Sequence, residues 1–159
     1  MKKRVYIETT VVSYFTARPS RDIIVAGHQE TTRDLWPDLA AKYETYISAL
    51  VYQEAGKSDP DQARMRLAAV ESFPMLEINE EAKFLADRII TDRGIPAEYP
   101  EDALHIAVAA VNGMDVLATW NFAHLNNPFT RRAVRRIVEH EGYLCPEICS
   151  PQELLEVDQ

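Results

Sequence analysis

In three places a short apolar run of this 159-residue chain ends in side chains able to do chemistry. Glu8 directly follows Val5-Tyr6-Ile7, Glu54 lies just beyond Tyr46-Ile47-Ser48, and Thr119-Trp120-Asn121 directly follow Val116-Leu117-Ala118. If these runs are parallel strands, their carboxyl ends lie side by side, and sites in open α/β sheets form just beyond those ends. Carboxylates gathered there suit a hard divalent cation, whose charge offsets the mutual repulsion that raises clustered carboxyl pKa values. Most Asp and Glu residues are simply solvated surface groups, so the shared placement at strand ends is what sets these positions apart. Asp115 precedes Val116 and falls at the opposite end of the sheet. The same rule leaves it out.

The elements that must position these groups follow from pattern and punctuation. Arg4 to Ile7 reads as a buried strand, and Val11 to Phe15 as a helical turn. After the break at Ala17 to Ser20, Ser20 is expected to cap a helix from Arg21 to about Leu35, with Asp22 in its first turn. Pro37 should interrupt that helix before Tyr43. Tyr46 to Ser48 is a second strand, with a helix from about Leu50 to Lys57, and Asp59-Pro60 opens another helix that runs to Ser72. Met75 to Ile78 is a third strand, and Asn79 caps a helix that Gly94 and Pro96 end. Glu101 to Asn112 is strongly helical, Val116 to Ala118 is a fourth strand, Arg131 to His140 is a helix, and Tyr143 to Cys149 is a last edge strand. Strands alternating with helices imply an α/β fold with a mainly parallel sheet. No repeat, low-complexity tract or linker divides the chain, so residues 1–159 read as one domain.

Four segments, taken in order, resemble the motifs of PIN domains. Val5-Tyr6-Ile7-Glu8-Thr9-Thr10-Val11-Val12 is similar to the family's opening strand and acidic turn, and Leu50-Val51-Tyr52-Gln53-Glu54 to its second acidic position. Asp102-Ala103-Leu104-His105-Ile106-Ala107 is similar to the third, an acid leading an apolar helix, and Gly113 to Asn121 to the strand and turn carrying the fourth. The resemblance implies a PIN-like three-layer fold with a central five-stranded sheet flanked by helices, and an acidic pocket holding Mg²⁺ or Mn²⁺. It further implies an RNA-cleaving, VapC-like toxin restrained by a small antitoxin protein, with a homodimer as a further possible assembly. In those terms Glu8, Glu54 and Asp102 are the metal ligands, Glu54 through water or as a helper that orients the nucleophile, and Asn121 completes the catalytic set as an outer ligand or a substrate contact. Two positions depart from the family pattern. Glu8 stands where aspartate is usual, and Asn121 where an acid is usual, which favours one well-held metal over two.

Other residues have two readings each. The hydroxyls of Thr10 and Thr119 can fix a carboxylate or contact phosphate, or they can stabilise their own turns. His105 shares a helix face with Asp102 and either helps at the site or, the preferred reading, is a packed, hydrogen-bonded helix residue, while His124, just past Asn121, either approaches the substrate or is a loop histidine. Arg131, Arg132, Arg135 and Arg136 recur at helical spacing and are candidates for RNA phosphate contact, or for an exposed basic face balanced by Glu139 and Glu141. Arg18 and Arg21 are a second basic candidate.

Bulk composition narrows the classes. A net charge of −8 argues against a large, strongly basic nucleic-acid surface, although it leaves room for a local one. No apolar run approaches the roughly 20 residues of a membrane span, and no apolar signal stretch follows Met1-Lys2-Lys3-Arg4, so a cytoplasmic location is expected. Cys145 and Cys149, the only cysteines, read as idle thiols. Phosphoryl transfer onto an aspartate, as in receiver-like domains, fits poorly because the matching strand end carries Glu8. A catalytically silent module of the same fold, binding RNA or protein without cutting, is the competing reading that Asn121 favours.

Overall fold

The first strand, β1 (Arg4–Ile7), carries Val5, Tyr6 and Ile7 fully buried, as a central strand covered on both faces requires. The computed structural model describes residues 1–157. Around β1 lie β2 (Glu44–Ser48), β3 (Met75–Leu76), β4 (Val116–Ala118) and β5 (Glu147–Cys149), in the spatial order β3-β2-β1-β4-β5 with every pairing parallel. Tyr6 stands opposite Tyr46 on one side and Leu117 on the other. This is the five-stranded parallel sheet that the resemblance implied.

The strand order fixes the layers. From β1 the chain steps outward to β2 and β3, then returns to the far side of β1 for β4 and β5. Right-handed crossovers therefore place the early helices on one face and the later ones on the other. The packing agrees. Helices α1 (Thr9–Thr16), α2 (Ile23–Ala41), α3 (Ala49–Ala55) and α4 (Pro60–Val70) pack among themselves, joined by the terminal α8 (Pro151–Glu156) on α2. Helices α5 (Glu80–Thr91), α6 (Pro100–Val111) and α7 (Pro128–His140) form the second group. The core between sheet and helices is mostly Val, Ile, Leu and Ala. Helix α6 is the most enclosed: Ala103 and every residue from His105 to Ala110 are buried.

Several expectations about boundaries need correction. Asp22, not Ser20, caps α2, accepting the Ile24 and Val25 N–H groups at 2.9 and 3.1 Å. Pro37 does not interrupt that helix, which continues to Ala41. The proline removes one intrahelical hydrogen bond, but Leu35 and Leu39 on either side of it are fully buried, and their packing holds the helix together. Strand β3 stops at Leu76 and β5 begins only at Glu147, because edge strands have a single neighbour to pair with. Helix α8 has a plain signal in Ser150-Pro151-Gln152-Glu153, which forms a capping box. Among the described residues no helix is long and apolar enough to cross a membrane.

Candidate acidic metal centre

Glu8 is where β1 ends and α1 begins. It holds extended backbone angles and N-caps α1 without using its side chain for the purpose, so the carboxylate is free to face the sheet end. Its Oε1 accepts hydrogen bonds from Thr10 Oγ and Thr119 Oγ, each at 2.6 Å. Both hydroxyls are thereby committed to fixing Glu8. Thr119 also accepts the Asn121 N–H at 2.9 Å, and Thr10 accepts the Trp120 N–H at 2.9 Å, so the turn after β4 is stitched to the turn after β1. Glu8 is only 4% exposed.

Glu54 reaches the same place from the last turn of α3, whose start is capped by Ser48 Oγ accepting the Val51 N–H at 3.2 Å. Its Oε1 accepts from Thr9 Oγ at 2.5 Å and from His105 Nε2 at 2.8 Å. Burial alone would raise the Glu54 pKa, but the hydrogen bond and positive charge of His105, with Thr9, outweigh it and hold the carboxyl below its ordinary value. Burial pushes His105 down, and the Glu54 hydrogen bond with the charges of Glu8, Glu54 and Asp102 brings it above its usual value.

Asp102 sits in the first turn of α6, where Pro100 opens the helix and acidic residues suit the positive helix end. Its Oδ2 lies 3.2 Å from His124 Nδ1, and its Oδ1 accepts from Asn121 Nδ2 at 3.4 Å. Burial raises its pKa and the Glu8 carboxylate adds to the rise, while His105 and His124 oppose it. Asn121 turns its amide oxygen back onto the His124 N–H at 3.0 Å, so it braces Asp102 through its NH₂ group. His124 itself stacks on Tyr99 with ring centroids 3.7 Å apart.

The donor chemistry fits a hard divalent cation. On Glu8 and Glu54 one oxygen takes two hydrogen bonds, and among the described residues the other takes none. Ligand atoms of Glu8, Glu54 and His105 lie within 4.8 Å of one another, with Asp102 outside that tight group yet close enough to feel the Glu8 charge. His105 belongs to the cluster by distance only. Tyr6 hydroxyl occupies its Nδ1 at 2.6 Å and Glu54 occupies its Nε2, leaving no lone pair for a metal.

The remaining residues fall around this centre or away from it. Asp115 accepts the Arg4 N–H at 2.8 Å at the opposite end of the sheet, where sequence position had put it. Arg131 donates to Asn126 Oδ1 at 2.6 Å and Arg135 to Glu147 at 2.7 Å, whereas Arg132 and Arg136 are exposed. Cys145 and Cys149 are both free thiols. Sequence reasoning missed Thr9 and Tyr6 as partners of the acidic cluster, and it preferred a loop role for His124 over an approach to the substrate. The adjacency of Thr9 to Glu8 was a usable signal; the Tyr6 contact, across 99 residues, was not.

No protein-family model matches the chain, and no curated protein sequence matches it. Among solved structures, it is similar to a chain in the crystal structure of VapBC2 from Rickettsia felis bound to a DNA fragment from their promoter. The likeness covers 92% of this chain and 98% of that one, with a TM-score of 0.59 and 13% sequence identity. At that identity the likeness is one of fold, and the fold is PIN-like.

Proposed function

We propose that the protein is a divalent-metal-dependent endoribonuclease and the toxin of a toxin–antitoxin pair. One observation carries the reading: Glu8 and Glu54 come together at one sheet end, each with one carboxylate oxygen held by two hydrogen bonds and the other taking none among the described residues. Such an arrangement is costly for like charges unless a cation joins them. Glu8, Glu54 and Asp102 would hold Mg²⁺ or Mn²⁺, which would supply charge neutralisation at a scissile phosphate and a more acidic water.

The chain's own residues then have distinct tasks. Thr10 and Thr119 fix Glu8, Thr9 and His105 fix Glu54, and Asn121 with His124 fixes Asp102. Fixing the carboxylates in advance spares the reaction their reorganisation, which is the main contribution a protein makes to this class of hydrolysis. Thr10 and Thr119 serve as substrate contacts only through hydroxyl lone pairs beyond these bonds. The arginines of α7, Arg131 and Arg135 among them, are the candidates for flanking RNA phosphates. The fold shared with a chain of a VapBC2 structure supports a small antitoxin protein as partner.

The deciding experiment incubates highly pure protein with a mixed RNA pool and Mn²⁺. Cleavage that chelation stops and Asp102→Asn abolishes supports the enzyme. RNA that is bound yet left intact supports the second reading, a silent binding module. Asn121 favours that second reading, since it brings an amide to the fourth position and turns its oxygen onto its own loop.

A further inference from the structure

A thread of polar atoms crosses the apolar interior. Tyr6, Ser48 and His105 are each 1% exposed or less, on β1, β2 and α6. The Tyr6 hydroxyl lies 2.8 Å from Ser48 Oγ and 2.6 Å from His105 Nδ1, and His105 Nε2 lies 2.8 Å from Glu54 Oε1. The direction of the last bond is set by chemistry. A carboxylate only accepts, so Nε2 carries the hydrogen whichever way Tyr6 and Nδ1 share theirs.

Burying these groups is expensive beside the apolar alternatives, Phe at position 6 and Leu at position 105, which would leave nothing to satisfy. Every link of the thread is hydrogen-bonded, and it ends on a carboxylate rather than in solvent. Glu54 needs such support. It sits in the last turn of a seven-residue helix, two residues before Gly56, where the helix restrains its side chain little.

We infer that Tyr6 and His105 are a buried positioning pair that ties Glu54 Oε1 inward, so that Glu54 offers a cation its Oε2 alone. This rests on the metal-dependent reading of the site. Glu8 is restricted in the same way, with its Oε1 held by Thr10 and Thr119. A centre built from single carboxylate oxygens suits a small cation that keeps its waters. It disfavours Ca²⁺, which takes more ligands and often both oxygens of a carboxylate. The pair is therefore a selectivity device as well as a support.

The test titrates Mn²⁺ and then Ca²⁺ into the full chain without RNA, by calorimetry and by Mn²⁺ electron spin resonance. Tyr6→Phe removes one hydroxyl from a site no ligand touches and should weaken Mn²⁺ about tenfold. His105→Leu should weaken it by about 10–100-fold and narrow the Mn²⁺-over-Ca²⁺ preference, because Glu54 regains its second oxygen. His105→Gln, whose amide can still donate, should recover much of the loss. A purely structural pair would lower thermal stability and leave the Mn²⁺-to-Ca²⁺ ratio unmoved. An unchanged ratio and affinity in both Tyr6→Phe and His105→Leu, or no Mn²⁺ uptake by the parent protein, overturns the inference. If the parent takes up Mn²⁺ but cuts no RNA, the ribonuclease reading fails while the affinities still decide the role of the pair.

Discussion

The two ends of the sheet use the same side-chain chemistry for opposite purposes. At the amino end, Asp115 accepts the Arg4 N–H, and the Arg4 guanidinium donates to Asn112 O at 2.9 Å. Each charged group there meets a backbone partner near water, and the bonds tie the start of β1 to the loop before β4. At the carboxyl end, Glu8, Glu54 and Asp102 converge, partly buried and with no lysine or arginine bonded to them among the described residues. Their donors are hydroxyls, an amide and two imidazoles, and the imidazoles offset part of the acidic charge. The single acid at the amino end ties two segments together, and the three at the carboxyl end are gathered where the proposed cation would join them.

Substitution of matched acids at the two ends is the strongest way to break this contrast. Asp102→Asn should lower Mn²⁺-dependent RNA cleavage about 100-fold or more, since even the loss of an outer partner costs about 10–100-fold. Its melting temperature should hold or rise, because one member of a repelling cluster is neutralised. Asp115→Ala should do the reverse, costing about 1 kcal/mol of stability on the loss of its hydrogen bond while leaving cleavage rates alone. Equal losses of cleavage in both variants would erase the distinction.

Metal addition sharpens it next. Mn²⁺ at 100 times its dissociation constant should stabilise the parent protein by about 2.7 kcal/mol, seen as a higher melting temperature that EDTA reverses. The paired variant Glu8→Gln with Asp102→Asn should show no such rise. A smaller effect is expected from Thr119→Val, which strips one hydrogen bond from Glu8 and leaves the Asn121 N–H without its acceptor. Its kcat/KM should fall about tenfold, with kcat carrying the change.

Much of this centre could be read from the chain because one rule, ligands beyond the carboxyl ends of parallel strands, needs only strand position. Glu8 abuts its strand and was accessible in that way, and the same rule put Asp115 at the opposite end, where it lies beside Arg4. Asp102 rests on resemblance, since periodicity shows an apolar helix and says nothing of where its first turn points. The partners were harder. Tyr6 on His105 and Thr119 on Glu8 span 99 and 111 residues, and only the β1–β4 register and the depth of α6 bring them together. Pro37 misled for a related reason: local propensity argued for a break, and buried leucines on either side of it decided otherwise.

The smallest predicted effect concerns the thiol at the carboxyl end of β5. Burial, with the charges of Glu153 and Glu147, pushes Cys149 up to about 12, and burial chiefly pushes Cys145 up to about 11. At pH 8 both are therefore almost wholly protonated, and iodoacetamide should label the native protein far more slowly than the urea-unfolded chain. Rapid native labelling would mean that this end of the sheet tolerates free anions more readily than the carboxylate geometry implies.

Trp120 lies between the residue that grips Glu8 and the residue that braces Asp102. Its indole N–H donates to Thr32 Oγ at 2.8 Å, and its ring stacks on His28 with centroids 4.1 Å apart. Trp36, the only other tryptophan, stacks instead on Phe15 at 3.8 Å. The chain thus carries its own optical gauge. Any loading of the acidic centre that draws Thr119 or Asn121 inward must slide the indole across its imidazole neighbour. Emission from Trp120, isolated by Trp36→Phe, would follow occupancy in real time without a label.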